Sequence, residues 1–318
     1  MPQIVTITFN PAIDKSTTIS SLIPEKKLKC TPPVFEPGGG GINVARAIKK
    51  LGGNATAIYL AGGYSGKFLN QLLDEENIPS IVIETKHHSR ENLIVLDNSS
   101  NLQYRFGMPG PVIYENEWKK VLSVVEELKD VEYIVASGSL PSSIPKDIFA
   151  NLSLISRSKN AKFIVDTSGE ALQYAVNQGV YLLKPNLSEL SALAGREELN
   201  GNQVQEVARQ LIQIGKCEVI VVSLGAMGAM LITETETHQI IPPPVKKAST
   251  VGAGDSMLAG IVLSLAENNT LLEAAQYGVA CGTAACMTLG TQLCRLSDVE
   301  KLYAAIKKEK KDLSEVHQ

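Results

Sequence analysis

Residues 249–256 read Ser249-Thr250-Val251-Gly252-Ala253-Gly254-Asp255-Ser256. Glycines at 252 and 254 allow a tight turn and leave its N–H groups bare toward a ligand. The apolar run 257–266 that follows reads as a buried helix. The turn then sits at a helix N-terminus, whose free N–H groups and dipole favour an anion. Asp255 is out of place beside an anion unless it has another task. Accepting a proton from the group that attacks the anion is such a task. Asp255 or Ser256 also suits a plain helix cap, and this stretch alone leaves the two readings level.

Other residues carry chemistry of matching kinds. Asp14 follows Asn10-Pro11, where an Asp is commonly a turn former. Gly38 to Gly41 precede Asn43, either as a turn that starts a helix or as a loop that admits a ligand closely. Asn186 and Glu189 are three apart after a strand-like run, so one helical turn sets both on one face. The same pair also reads as an N-cap with Glu at its third position. Arg90 and Lys27 lie in polar, strand-like stretches and read as solvated cations unless a phosphate is held there.

The 318 residues are 44% hydrophobic and 20% charged, with a net charge of −3. That is enough chain for one large core or two smaller ones, and the charge gives no reason to expect nucleic acid or an acidic membrane as partner. The N-terminus alternates like a strand and lacks the basic segment of a signal peptide. The longest apolar run is shorter than the roughly 20 residues that cross a bilayer. Five cysteines without a Cys-x-x-Cys pair, and four scattered histidines, point to reduced thiols and against a zinc centre. A soluble cytoplasmic protein is the expectation.

The elements that must hold these residues follow from periodicity. Strand-like runs occur at 4–9, 55–60, 81–84, 133–136, 162–166, 181–183, 219–223, 229–232 and near 238–241. Helical spacing occurs at 43–51, 68–76, 115–129, 145–158, 170–178, within 197–214, at 256–267 and 271–287, and in the charged tail 301–318. A Gly62-Gly63 turn is expected between the second strand and second helix. Such alternation implies an α/β fold with a mostly parallel sheet and helices on both faces. Residues 15–35 and 90–106 differ in being polar and short-stranded, the latter with a hairpin signal at Asn98-Ser99-Ser100-Asn101. They are expected to form a small sheet set apart.

Four motifs, in order, resemble those of the ribokinase-like carbohydrate kinases. They are Asn10-Pro11-Ala12-Ile13-Asp14, the run from Gly38 through Asn43 to Arg46, Lys184-Pro185-Asn186-Leu187-Ser188-Glu189, and residues 249–255. Residues 34–48 and 242–246 are similar in particular to the bacterial ribokinase-type phosphofructokinases. The resemblance implies one three-layer αβα kinase domain over 1–318, with residues 15–35 and 90–106 as a β-sheet lid. It implies ATP-dependent phosphorylation of fructose 6-phosphate at the 1-hydroxyl. Asp255 is then the base, with the N–H groups of Gly252, Ala253 and Gly254 around the moving phosphoryl group.

On the sugar side the resemblance implies Asp14 and Asn43 on hydroxyls, with Gly38 and Gly39 pressed against the substrate. Arg90, Ser139 and Lys27 would hold the 6-phosphate, Lys27 from a partner subunit. On the nucleotide side it implies Lys184 and Asn186 near the phosphates and Glu189 on Mg²⁺ through water. Ser223, Gly225 and Gly228 would lie under the adenosine, with Ala280 and Thr283 on its far wall. Many relatives also hold K⁺ on backbone carbonyls, here in the region of Ser249, Val251, Ala285, Thr288 and Gly290, though this chain has Ser249 where pentose and nucleoside kinases often show Asp. An uncovered lid face implies a homodimer. The alternatives in class are 1-phosphofructokinase and tagatose-6-phosphate kinase, which often carry Lys where this chain has Gly40. Outside it stands a non-catalytic sugar-phosphate or nucleotide sensor, which need not keep both Asp255 and Glu189.

Overall fold

The computed structural model describes residues 3–288, 290 and 292–315, residues 309–315 by their backbone alone. The chain opens with β1 (Gln3–Thr8), β2 (Ala12–Ile19), β3 (Val34–Gly38), α1 (Gly40–Lys50), β4 (Thr56–Gly62), α2 (Gly63–Glu75), β5 (Ser80–Thr85), β6 (Arg90–Asp97) and β7 (Leu102–Phe106). Its middle runs α3 (Glu115–Glu127), β8 (Val131–Ser137), α4 (Ile148–Ser158), β9 (Lys162–Asp166), α5 (Gly169–Gln178), β10 (Val180–Leu183), α6 (Leu187–Leu193) and α7 (Gly201–Gln213). It closes with β11 (Cys217–Ser223), β12 (Ala229–Ile232), β13 (Thr237–Ile240), α8 (Ala253–Ala266), α9 (Leu271–Cys286) and α10 (Leu296–Glu315).

Nine strands form one sheet in the order β13-β12-β11-β10-β9-β8-β1-β4-β5, and four form another in the order β3-β2-β6-β7. In the large sheet every pairing is parallel except those of β12 with β11 and β13. Parallel strands need helical crossovers, which cover both faces and make the strands apolar throughout. Two cores result, one per face. One gathers α1, α8 and α9 around Ile42, Ile48, Leu258 and Val262; the other gathers α3 to α7 around Val5, Ile134, Leu152 and Val207.

Helix α8 is buried along its whole length from Ser256 to Ala266. Leu258, Ile261 and Val262 are all but sealed from water, each contributing on the order of 1.5–3 kcal/mol. That packing anchors the helix, and so fixes where its first turn points. Among the described residues no helix is long and apolar enough to cross a membrane.

Several boundaries differ from the sequence expectation. Residues 20–33 between β2 and β3 are mostly loop, with only an isolated bridge from Ile19 to Cys30. No separate turn stands at Gly62-Gly63, because β4 runs directly into α2. Helix α6 was expected only as the turn that Asn186 starts, because a seven-residue helix spans too few turns to show periodicity. Helix α8 begins at Ala253, three residues before the expected start, because small residues give no hydrophobic signal. Of the expected tail helix, residues 316–318 lie outside the described residues, and α10 begins earlier, at Leu296.

Candidate active site

The early start of α8 settles the position of the glycine turn. Gly252, not Asp255 or Ser256, holds the cap position, with φ 70° and ψ 5°, left-handed angles that favour glycine. Ser256 N donates to Gly252 O at 2.8 Å, the first bond of the helix. Gly254 and Asp255 thus stand in the first turn, whose N–H groups have no carbonyl four residues back. Asp255 spends its carboxylate elsewhere: Oδ2 accepts a hydrogen bond from Asn43 Nδ2 at 2.9 Å. Asn43 is itself held, because Arg46 Nη1 donates to its Oδ1 at 3.4 Å and to Pro37 O at 2.8 Å. Asp255 keeps some access to solvent. Burial nonetheless pushes its pKa up to about 6, Asp166 adding to the rise and the Asn43 and Lys184 contacts opposing it.

Asp14 lies on β2, buried, with Oδ1 accepting from Asn92 Nδ2 at 2.8 Å. Burial raises its pKa against the pull of Asn92 and Arg90. Gly38 passes so close that a Cβ there would lie 2.5 Å from Asp14 Oδ2. Arg90, at the start of β6, donates to Asn10 O at 2.9 Å and to Met108 O at 3.1 Å. Asn10 in turn donates through Nδ2 to Ser139 Oγ at 3.0 Å, so Arg90 and Ser139 converge on one residue. Lys27 does not join them. It projects from the exposed loop between β2 and β3, and no hydrogen bond or ion pair ties it to the other described residues.

On the far side of Asp255, Lys184 is buried and pairs with Asp166 Oδ2 at 3.2 Å. Burial alone lowers the ammonium's pKa, but Asp166, with Asp255 and Glu189, outweighs it and leaves the pKa raised. Gly254 lies next to the ammonium, a Cβ there falling 3.4 Å from Nζ. Asn186 caps α6: its Oδ1 accepts from Glu189 N at 2.9 Å, and Glu189 Oε2 accepts from Asn186 N at 2.8 Å. That leaves Glu189 one carboxylate oxygen, and burial, reinforced by Asp166, raises its pKa. Ser223 forms a bridge with Asn186, and Gly225 and Gly228 take positive φ in the short turn beyond it.

Ala280, expected on the adenosine's far wall, is fully buried among the α8–α9 core residues. Thr283 keeps partial exposure, its hydroxyl donating to Val279 O at 2.7 Å. Ser249 packs beside the end of α9, where Ser249 N and Ala248 N both donate to Cys286 O. Thr288 Oγ1 bridges Ala285 O at 2.9 Å and Leu293 O at 3.0 Å, Val251 N reaches Ser249 Oγ at 3.2 Å, and Gly290 takes φ 58°.

Nearly all these residues lie at or just beyond the carboxyl ends of β1, β8, β9, β10 and β11, where open α/β sheets bind ligands. A cavity of about 1180 Å³ opens at the opposite ends of β9 to β11, around Lys162, Val180 and Cys217, and none of the site residues lines it. Sequence reasoning missed Asp166, Asn92 and Asn10. Asp166 ends a parallel strand, and Asn92 is two residues from Arg90 on one strand face; both positions were signals.

The chain is 46% identical, over 96% of its length and 99% of the other protein, to ATP-dependent 6-phosphofructokinase isozyme 2 of Escherichia coli. The structure of phosphofructokinase-2 from Escherichia coli in complex with potassium superposes with a TM-score of 0.93 at 45% identity, covering 96% of this chain and all of that one. The same enzyme in complex with fructose-6-phosphate gives 0.92 at 44%, with equal coverage. The family model described as pfkB family carbohydrate kinase matches residues 5–298. With that match across a ribokinase-like fold and an aspartate at the mouth of a glycine turn, the chain belongs to the pfkB family of carbohydrate kinases.

Proposed function

We propose that the chain phosphorylates fructose 6-phosphate at its 1-hydroxyl with ATP, giving fructose 1,6-bisphosphate. The observation that carries the reading is Asp255, whose carboxylate is held by Asn43 at the first turn of α8. Its pKa near 6 leaves it ionised at neutral pH yet basic enough to accept a proton. The N–H groups of Gly252, Ala253 and Gly254 face the transferring phosphoryl group, and charge developing there meets donors already fixed in place. Asp14 and Asn43 orient the sugar hydroxyls. Arg90 and Ser139 hold the 6-phosphate, joined by Lys27 of a second copy.

Lys184 and Asn186 lie along the ATP phosphates, with Ser223, Gly225, Gly228 and Thr283 around the adenosine. Asp166 and Glu189 have the chemistry to hold Mg²⁺. The Asp166 charge raises the proton affinity of Glu189, and one or two carboxylates suffice for an ion that keeps most of its waters. When bound, Mg²⁺ neutralises charge on the phosphates. K⁺ fits the junction of Ser249 and Val251 with Ala285, Thr288 and Gly290, just behind the glycine turn. Equal rates in Na⁺, K⁺ and Tris chloride would remove it.

The small sheet serves as lid and dimer surface within a single domain. Val34, Leu102 and Phe106 on its strands, and Leu22 and Ile23 in its loop, are large, apolar and exposed, and a second copy would cover them. Free cysteines suit a reducing, cytoplasmic setting.

Within the class, Gly40 favours this substrate over those of 1-phosphofructokinase and tagatose-6-phosphate kinase. A Cβ at Gly40 would lie 2.7 Å from Gly138 N, so the loop sits closer to β8 than a lysine there permits. ADP release measured with fructose 6-phosphate, fructose 1-phosphate, tagatose 6-phosphate and unphosphorylated sugars tests the assignment. Preference for any substrate but the first overturns it, and no release with any of them favours the sensor.

A further inference from the structure

Arg105 belongs to none of the four motifs, yet the fold carries it to the site. On β7 it pairs with Ile94 of β6, two residues along the strand from Asn92. Residues two apart on a strand, and direct cross-strand partners, share a face. Asn92 contacts Asp14, so that face is the one over the cleft. Gln103, two residues earlier, accepts from Arg105 Nε at 3.3 Å. At the far end of the guanidinium, Nη2 donates to Thr250 Oγ1 at 3.1 Å, two residues before the glycine that caps α8.

The charge balance of the cleft calls for such a group. In the transfer, the sugar O1 bonds to the γ-phosphorus while its proton passes to Asp255. The bond from that phosphorus to the β–γ bridging oxygen breaks, its electron pair leaving with ADP. Negative charge is shared among the phosphoryl oxygens and the leaving oxygen throughout. The site already holds Asp14, Asp166, Glu189 and Asp255. Against these stand Lys184, committed to Asp166, Arg90, committed to Asn10 and Met108 at the sugar-phosphate end, and the buried Arg46, committed to Glu76 and Pro37.

We propose that Arg105 is a further catalytic residue: with both substrates bound, its guanidinium turns from Thr250 to the γ-phosphoryl oxygens, so that the small sheet brings positive charge to the moving group. This rests on the phosphoryl-transfer reading above. Arg105 is exposed, so its replacement leaves the core untouched.

The test compares wild type, Arg105→Lys and Arg105→Gln with Mg-ATP and fructose 6-phosphate, each checked for unchanged melting temperature. Glutamine can still hydrogen-bond Thr250 but carries no charge; lysine keeps the charge. Arg105→Gln is expected to lower kcat by about 10²–10³, with the sugar KM within about threefold of wild type. Arg105→Lys should retain at least about ten times the kcat of the glutamine variant. Glutamine matching lysine means a hydrogen-bonded latch and overturns the proposal. So does a glutamine variant within about threefold of wild type, or a loss confined to the sugar KM. Absent turnover in wild type with every ketose phosphate would instead refute the phosphoryl-transfer reading, and this inference with it.

Discussion

Asn43 donates one hydrogen bond from its side-chain amide to Asp255, 2.9 Å between Nδ2 and Oδ2 and 212 residues apart in the chain. Because Arg46 occupies the other end of that amide, Asn43 meets the carboxylate with its N–H₂ group. The bond holds one oxygen of Asp255, and the proposed function assigns the other to the substrate hydroxyl.

Replacing Asp255 with Asn keeps the shape and removes the base. Turnover is expected to fall by about 10²–10⁴, with ATP and sugar phosphate still binding in calorimetry. The variant should also be more stable at neutral pH. Proton binding to a group whose folded pKa is raised stabilises the fold fully below its ordinary value of 3.8, and that contribution is lost as pH rises through about 6. An uncharged Asn escapes the penalty, on the order of 1–3 kcal/mol, which thermal unfolding at about pH 8 will read. Near-wild-type turnover would remove Asp255 as the base.

The same pKa sets the acid limb of the pH profile. For the free enzyme, kcat/KM should fall about tenfold per pH unit below about 6 and level off above 7. Asn43 favours the charged form, so Asn43→Leu should move the limb to higher pH. A limb that stays in place in that variant would mean another group titrates.

Asp166 works in the opposite sense, since its charge raises the pKa of Asp255. Asp166→Asn should therefore shift the acid limb to lower pH. It also leaves the buried Lys184 ammonium without its partner, a loss of roughly 3–5 kcal/mol in stability. Chemical denaturation measures the second effect; an unchanged midpoint would show that the pair contributes little.

Arg90 is held by Asn10 and Met108, where the proposed function puts the sugar phosphate. Arg90→Ala should raise the KM for fructose 6-phosphate by about 10²-fold or more, since a charge-assisted phosphate contact is lost, while the KM for ATP changes by less than about threefold. Equal effects on both substrates would place Arg90 outside the sugar-phosphate site.

Sedimentation tests the small sheet as a dimer surface. Wild type should run as a dimer at micromolar concentration, and Phe106→Asp, placed on an exposed apolar position of β7, should shift it toward monomer. A wild-type monomer would also strip Lys27 of its route to a substrate.

Sequence by itself determined what is local. Apolar periodicity marked most strands and helices, and glycine positions marked the turn at 252–254, because both follow from short-range backbone geometry. The order of four motifs was enough to name a kinase family before any contact was known. It could not decide whether Asp255 caps a helix, because the start of α8 is written in small residues that carry no periodic signal. Nor does it fix how deep Ala280 lies in the α8–α9 core, which depends on what packs over α9.

Tertiary structure decided the meetings of distant residues. Asn43 reaches Asp255 because α1 and α8 pack on the same face of the sheet, and Arg105 reaches Thr250 across 145 residues because β7 meets the loop that leads into α8. The raised pKa of Asp255 has the same origin: burial and the nearby Asp166 charge are set by which elements crowd around it, and no local stretch of chain encodes that crowding.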